Sequence, residues 1–145
     1  MNTNTAFTLF NRAHKATRKE AWHPVFFPAV SAFITQAASL RDAYYRADVK
    51  AANQVIIRLP LTAAPTDKTF VLPNAYALLD EEALASAWTI QPGDLALLGN
   101  FEEPNALSSI SSILEQYSDQ CFTVNAWRDN RRGSIAVQHW RIEGA

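Results

Sequence analysis

Residues 121–142 read CFTVNAWRDNRRGSIAVQHWRI, in which two apolar stretches flank the polar turn DNRRG. Alternation of apolar and polar residues is typical of strands with one buried face. The pattern predicts a hairpin in which 121–128 pairs with 134–142 across the turn 129–133, where Asn and Gly supply positive φ angles. The side chains expected to share a face are Phe122, Val124 and Ala126 on the first strand, and Ile135, Val137 and His139 on the second.

Further strands are predicted upstream of this hairpin. The clearest is 53–61, where Val55, Ile57 and Leu59 alternate with Gln54, Ile56 and Arg58. Proline cannot donate a ladder hydrogen bond, so a strand over 25–35 must be bent, bulged or at a sheet edge where it contains Pro28. The other predicted strands are 6–10, 70–72 and 95–98.

Turns and helices have equally local signals. Gln91-Pro92-Gly93-Asp94 predicts a turn, because proline presets φ at its second position and glycine permits positive φ at its third. Asp80 is suited to cap a short helix over 80–85. Apolar residues at helical spacing predict a longer helix over about 105–118.

These elements predict a mainly β fold, a small antiparallel β-barrel or sandwich with one packed α-helix at about 105–118 and a C-terminal hairpin. The chain has 145 residues, of which 48% are hydrophobic, which suits a single domain over 1–145 with its own core. The segment 12–20 is expected to be an exposed basic connection.

The net charge of −1 hides an uneven distribution. Residues 1–68 carry nine Lys or Arg and four acids, 69–127 carry eight acids and no Lys or Arg, and 128–145 carry four Arg and two acids. If these blocks fold into separate faces, copies of the chain can bind head to tail and close into a ring. If they interleave, they simply solvate the surface.

The sequence offers little for catalysis. His14, His23 and His139 lack the spacing of metal ligands, and Cys121 follows an acidic stretch that would not activate a thiol. The paired carboxylates at 80–82 and 102–103 are explained by a helix cap and a solvated turn. We therefore expect no enzyme activity, no cofactor and no metal. With no long apolar run and a polar start, no membrane partner is expected either.

Four stretches together resemble a family. They are Leu9 to Arg12, residues 51–60 (AANQVIIRLP), residues 88–94 (WTIQPGD) and residues 129–140 (DNRRGSIAVQHW). Their order and spacing resemble an uncharacterised family of small structural proteins of tailed phages and prophages, encoded among the minor capsid and head–tail genes. The resemblance runs from about residue 6 to residue 143, and the segments 12–20 and 75–87 depart from it.

The resemblance implies a virion protein of the head–tail neck that is made in the host cytoplasm. In the neck, small β-barrels form ring homo-oligomers as head-closure or adaptor proteins. Its partners would be itself, the portal or adaptor, and tail proteins, with packaged DNA nearby. A tail-completion, tail-terminator or capsid-decoration protein is the alternative, and a DNA-binding regulator or small enzyme is less favoured. The residues expected to form a contact loop are Arg128, Asp129, Asn130, Arg131, Arg132 and Gly133, because arginines bind carboxylates of a neighbour in bidentate fashion.

Overall fold

The computed structural model describes residues 2–13, 21–36, 53–99, 115, 117 and 120–145. Within this part the chain is mainly β, as the sequence predicts, and no helix there is long and apolar enough to cross a membrane. Two helices are short, α1 (Pro73–Tyr76) and α2 (Glu81–Leu84). The strands are β1 (Thr5–Ala13), β2 (Ala21–Gln36), β3 (Asn53–Pro60), β4 (Thr69–Phe70), β5 (Ala87–Trp88), β6 (Leu95–Leu98), β7 (Cys121–Asn130) and β8 (His139–Gly144).

Six of these strands form one closed antiparallel sheet. They are hydrogen-bonded in the order β1-β2-β3-β8-β7-β6, and β6 pairs back to β1. The long strands β2 and β7 each belong to two ladders: β2 pairs first with β1 and then with β3, and β7 pairs first with β6 and then with β8. The barrel is therefore sandwich-like, with two sheets that share β2 and β7 at their corners.

Both corner strands carry a bulge where they pass from one sheet to the other. In β2 the extra residue falls between Phe27 and Val30, at Pro28 and Ala29. In β7 it is Asn125, between Val124 and Ala126. Bulges bend a strand and increase its twist, which is what a sheet corner requires. Of the three alternatives expected where the strand contains Pro28, which were a bend, a bulge or a sheet edge, the structure shows the bulge.

The core lies between the two sheets and continues under the segment that follows β3. Phe7 and Leu9 of β1, Val25 and Phe27 of β2, and the alternating residues of β3 are fully buried. The segment 61–94 covers the barrel end at which β3 stops and β8 starts. It is attached there by the bond from the Leu61 amide to the Gln138 carbonyl, 3.1 Å. Trp88 and Ile90 of this segment are buried in the core.

The local signals in the covering segment are confirmed. Asp80 caps α2, since its Oδ1 accepts a hydrogen bond from the Ala83 amide at 2.8 Å. The turn from Gln91 to Asp94 closes with a bond from the Asp94 amide to the Gln91 carbonyl, and Gly93 has φ +94°.

Three strand details differ from the sequence prediction. The bulge at Asn125 reverses the alternation of β7, so that Ala126 is exposed while Trp127 packs against the core. Residues Ile135–Val137 form a 3-10 turn, so Ile135 and Val137 do not share a strand face with His139, and β8 begins only at His139. The strand expected at 70–72 is the short β4. The predicted helix at about 105–118, apart from residues 115 and 117, and most of the connection 12–20 lie outside the described residues.

Candidate interaction surface

The predicted contact loop joins β7 to β8 at the covered end of the barrel. Arg128, Asp129 and Asn130 end β7, and Arg131, Arg132 and Gly133 lead into the 3-10 turn. Gly133 has φ +99°, whereas Asn130 does not adopt positive φ, contrary to expectation. The loop is held at Gly133, whose carbonyl accepts a bond from Gln138 Nε2 at 3.0 Å.

Arg131 is engaged within its own chain. Its Nε and Nη2 donate to Oδ1 and Oδ2 of Asp129 at 2.8 and 2.7 Å, a bidentate pair. The same guanidinium lies 4.9 Å from the ring centre of Phe70 and 5.3 Å from that of Trp140, within the range of cation–π attraction. These hydrogen bonds hold the pKa of Asp129 below its ordinary value. Arg131 thus secures the loop on the covering segment rather than facing solvent freely.

An aromatic cluster lies beneath Arg131. The ring of Phe70 is 4.8 Å from Trp88, 5.1 Å from Trp140 and 6.0 Å from Trp127 in tilted or edge-on arrangements. Such geometries suit the quadrupoles of the rings and add to the hydrophobic energy of burying them. The cluster joins the covering segment to both strands of the C-terminal hairpin.

The base of the loop has a further side-chain contact. His139 Nδ1 lies 2.8 Å from the Val137 carbonyl, and its Nε2 lies 3.2 Å from Asn130 Nδ2. The carbonyl only accepts and the amide nitrogen only donates, so this geometry requires the proton on Nδ1 and a free lone pair on Nε2. His139 therefore acts as a structural side chain that ties the ends of β7 and β8 together.

Three arginines lie side by side on the outer face of the barrel. Arg58 of β3 is opposite Arg141 of β8, and Arg141 is opposite Arg128 of β7. Residues opposite one another in an antiparallel ladder project to the same face. The sequence neighbours Ile57 and Ile142 are buried, so this face is the outer one. We call Arg58, Arg141 and Arg128 the arginine row; residue spacing along the chain gave no sign of it, because only the strand register brings the three together.

Two exposed apolar side chains lie next to the arginine row, near the C-terminal end of β2. Phe33 and Ile34 are consecutive, point to opposite faces of the strand, and are 51% and 53% exposed. Phe33 lies on the outer face, where the Arg58 guanidinium is 5.6 Å from its ring centre. Ile34 is on the face of β2 that points into the barrel, yet its side chain is about half exposed. We call Phe33 and Ile34 the exposed pair.

Two of the four motifs that carry the family resemblance, 9–12 and 88–94, meet in a buried polar network. Asn11 and Asp94 are fully buried. The Asp94 carboxylate accepts bonds from Asn11 Nδ2 at 2.9 Å, the Arg12 amide at 3.0 Å and Gln91 Nε2 at 3.0 Å. Asn11 also exchanges two bonds with the backbone of Thr89. Burial raises the pKa of Asp94 to about 6, against the opposing effect of these bonds. The network fixes β1 against the turn before β6.

Two of the side chains considered for chemistry, Cys121 and His23, are partly buried. Burial raises the pKa of the Cys121 thiol to about 11, so the reactive thiolate is scarce at neutral pH. His23 has a pKa lowered by burial and by Lys68 nearby, and His14 lies outside the described residues. Within the described part, no group of three or more His, Cys, Asp or Glu is placed to hold a metal. A groove of about 490 Å³ is lined by Thr3, Pro28, Ala29, Pro60, Thr62, Ala63, Ile135, Ala136 and Gln138.

Comparison with known proteins gives one relationship. No curated protein and no solved structure matches the chain. Residues 2–145 match a family described as a family of unknown function, DUF6751. Because the match covers nearly the whole sequence, including every strand described above, the chain belongs to the DUF6751 family.

Proposed function

We propose that this protein is a structural component of a tailed-phage virion, a ring-forming head–tail connector of the head-closure or adaptor kind. The phage setting rests on the resemblance of the motifs at 9–12, 51–60, 88–94 and 129–140. The mode of action, contact with copies of the same chain, rests on the exposed pair, which is the observation that carries the proposal.

The exposed pair is suited to a subunit contact. A strand in a closed barrel normally buries one of its two faces. Phe33 and Ile34 point to opposite faces and are both about half exposed, so the described residues cover neither face at this end of β2. Burying a Phe or Ile side chain fully is worth about 1.5–3 kcal/mol. Phe33 and Ile34 together therefore offer a useful share of the free energy of a subunit contact.

A contact of this kind leads to a ring when it is heterologous. If the exposed pair of one copy packs on a different surface of the next, every copy both gives and receives a contact, and the rotation between copies decides whether the assembly closes. The groove of about 490 Å³ beside the bulge of β2, lined by both apolar and polar residues, is the receiving surface that we propose on the same chain. Its exposed edge includes Ile135, next to the contact loop.

The contact loop is the second part of the proposed interface. Arg131 is held by Asp129 and the aromatic cluster, so a substitution there disturbs the protein's own structure. Arg132 is exposed and is the better probe of a contact with a neighbour's carboxylates. We expect Arg132→Glu to weaken assembly without changing the stability of the isolated protein.

The experiment is complementation of a phage that lacks the gene. The double variant Phe33→Glu with Ile34→Glu is compared with Leu78→Glu, which alters a side chain that is 87% exposed elsewhere on the surface. We expect Leu78→Glu to give normal particles, and the double variant to give heads without joined tails. Electron microscopy of complemented particles should show a ring of this protein between portal and tail.

Three results would contradict the proposal. They are absence of the protein from purified particles, normal assembly by the double variant, and location of the protein on the shell or at the tail end of the particle. The last result would identify it as a decoration or tail-terminator protein instead.

A further inference from the structure

We propose that the arginine row is a binding site for the phosphodiester backbone of a nucleic acid. The proposed site is the outer face of β3, β8 and β7, and the ring of Phe33 from the exposed pair lies beside it. It does not require the ring, because the three arginines belong to one chain.

The geometry of the arginine row is unfavourable for the isolated protein. Like charges directly opposite one another on neighbouring strands destabilise a sheet. Neighbouring strands are about 4.8 Å apart, so the Cα atoms of the three arginines lie within roughly 10 Å. A polyanion lying across the strands relieves that repulsion at all three positions.

Neutralisation of the arginine row within the chain is incomplete. Arg141 pairs with Glu143 at 3.1 Å, and Arg58 stacks on Phe33. Among the described residues, no carboxylate lies within ion-pair distance of Arg58 or Arg128. The face therefore keeps a net positive charge next to an exposed aromatic ring, the combination that proteins use to follow a nucleic-acid backbone.

The obvious rival partner is an acidic surface of another copy. Four of the eight carboxylates in the described part of the chain have a partner there that accounts for them. Asp80 caps α2, Asp94 is buried in its network, and Asp129 is held by Arg131. Glu143 belongs to the arginine row itself. The other four described carboxylates come from three separate segments, at 67, 81–82 and 115, whereas a phosphate backbone carries one regularly spaced charge per nucleotide.

The test measures binding of the purified full chain to a short fluorescent duplex of random sequence, and to one of its single strands, over a range of salt concentrations. Neutralising about three phosphates gives a slope of log Kobs against log[salt] of about −2.7 for the duplex. The variants Arg58→Gln and Arg128→Gln should each reduce the magnitude of that slope by about one. Lys68→Gln removes one positive charge outside both the row and the contact loop and should leave the slope near the wild-type value.

Two further variants separate charge from folding. Arg58→Lys and Arg128→Lys keep the charge and should retain most of the slope, while thermal unfolding confirms that all variants fold. The two probes distinguish a duplex from single-stranded nucleic acid as the source of the phosphates.

The proposal is overturned by any of three results. One is no binding to either probe at low salt, and another is an equal effect of Lys68→Gln and Arg128→Gln. The third is a loss of self-association, with normal DNA binding, in the Arg58 and Arg128 variants. That result would assign the arginine row to an acidic protein partner. The phage-assembly experiment measures formation of particles, whereas this test measures DNA binding by the purified chain, so the two proposals can fail separately.

Discussion

The Nδ2 atom of Asn11 lies 2.9 Å from Oδ2 of Asp94, and both side chains are fully buried. Asn11 is near the end of β1, and Asp94 immediately precedes β6, the strand that closes the barrel onto β1. A buried polar group without a partner is costly, so this pair favours one placement of β6. The two motifs that it joins, 83 residues apart, are therefore explained by folding rather than by chemistry.

Asp94→Asn should destabilise the fold by about 1–3 kcal/mol at neutral pH, because an amide has one acceptor oxygen where the carboxylate offers two to its hydrogen-bond donors. Urea unfolding followed by tryptophan fluorescence measures the change. Asp67→Asn, at an exposed position, is the matched control and should lie within about 0.5 kcal/mol of wild type. An equal effect of the two substitutions would show that the buried network contributes little.

The destabilisation caused by Asp94→Asn should depend on pH. Burial raises the pKa of Asp94 from 3.8 to about 6 in the folded protein. Folding therefore favours the protonated carboxyl, and this contribution to stability is present below about pH 4 and is lost as the pH rises through 6. The deficit of Asp94→Asn relative to wild type should be larger at pH 4 than at pH 7, by roughly 3 kcal/mol at most. His23, whose pKa is also shifted, is present in both proteins. Comparing the variant with wild type at the same pH therefore cancels its contribution to the pH dependence of stability. A deficit that grows with pH would contradict the assignment.

Gly144→Ala should destabilise the protein by about 1–3 kcal/mol through overpacking. A Cβ at this buried position of β8 would lie 2.5 Å from the backbone oxygen of Thr123, which the ladder holds in place. Differential scanning calorimetry should show a lower Tm. Ala126→Ser, an equally small change at an exposed position of the same hairpin, should leave Tm nearly unchanged. A wild-type Tm for Gly144→Ala would mean that β7 and β8 separate easily at this point.

Arg131→Ala should cost about 0.5–1.5 kcal/mol, because it removes a partly exposed ion pair and the cation–π contacts with Phe70 and Trp140. Arg131→Lys should be intermediate, since an ammonium keeps the charge but cannot form the bidentate pair. Tryptophan emission should shift in both variants and stay constant in Arg132→Ala, where an exposed neighbour is removed. Identical emission spectra for all three would argue against contact between Arg131 and the aromatic cluster.

The features determined by the sequence itself are those with local causes. Pro28 lacks an amide proton, and the bulge lies there; Gly93 tolerates positive φ, and the turn forms there; Asp80 accepts a bond from the following helix. Alternating apolar residues also identified β3, and the strand predicted at 95–98 is β6. These signals operate within a few residues, so they do not depend on where the rest of the chain lies.

Tertiary structure decided what depends on register between distant strands. The extra residue at Asn125 places Trp127, and not Ala126, against the core, because inserting one residue reverses a period of two. The arginine row exists because β3, β8 and β7 pair in one particular register, and Asn11 meets Asp94 because β6 closes onto β1. Non-local pairing of this kind is fixed only by the packing of the whole core, which no single segment of sequence contains.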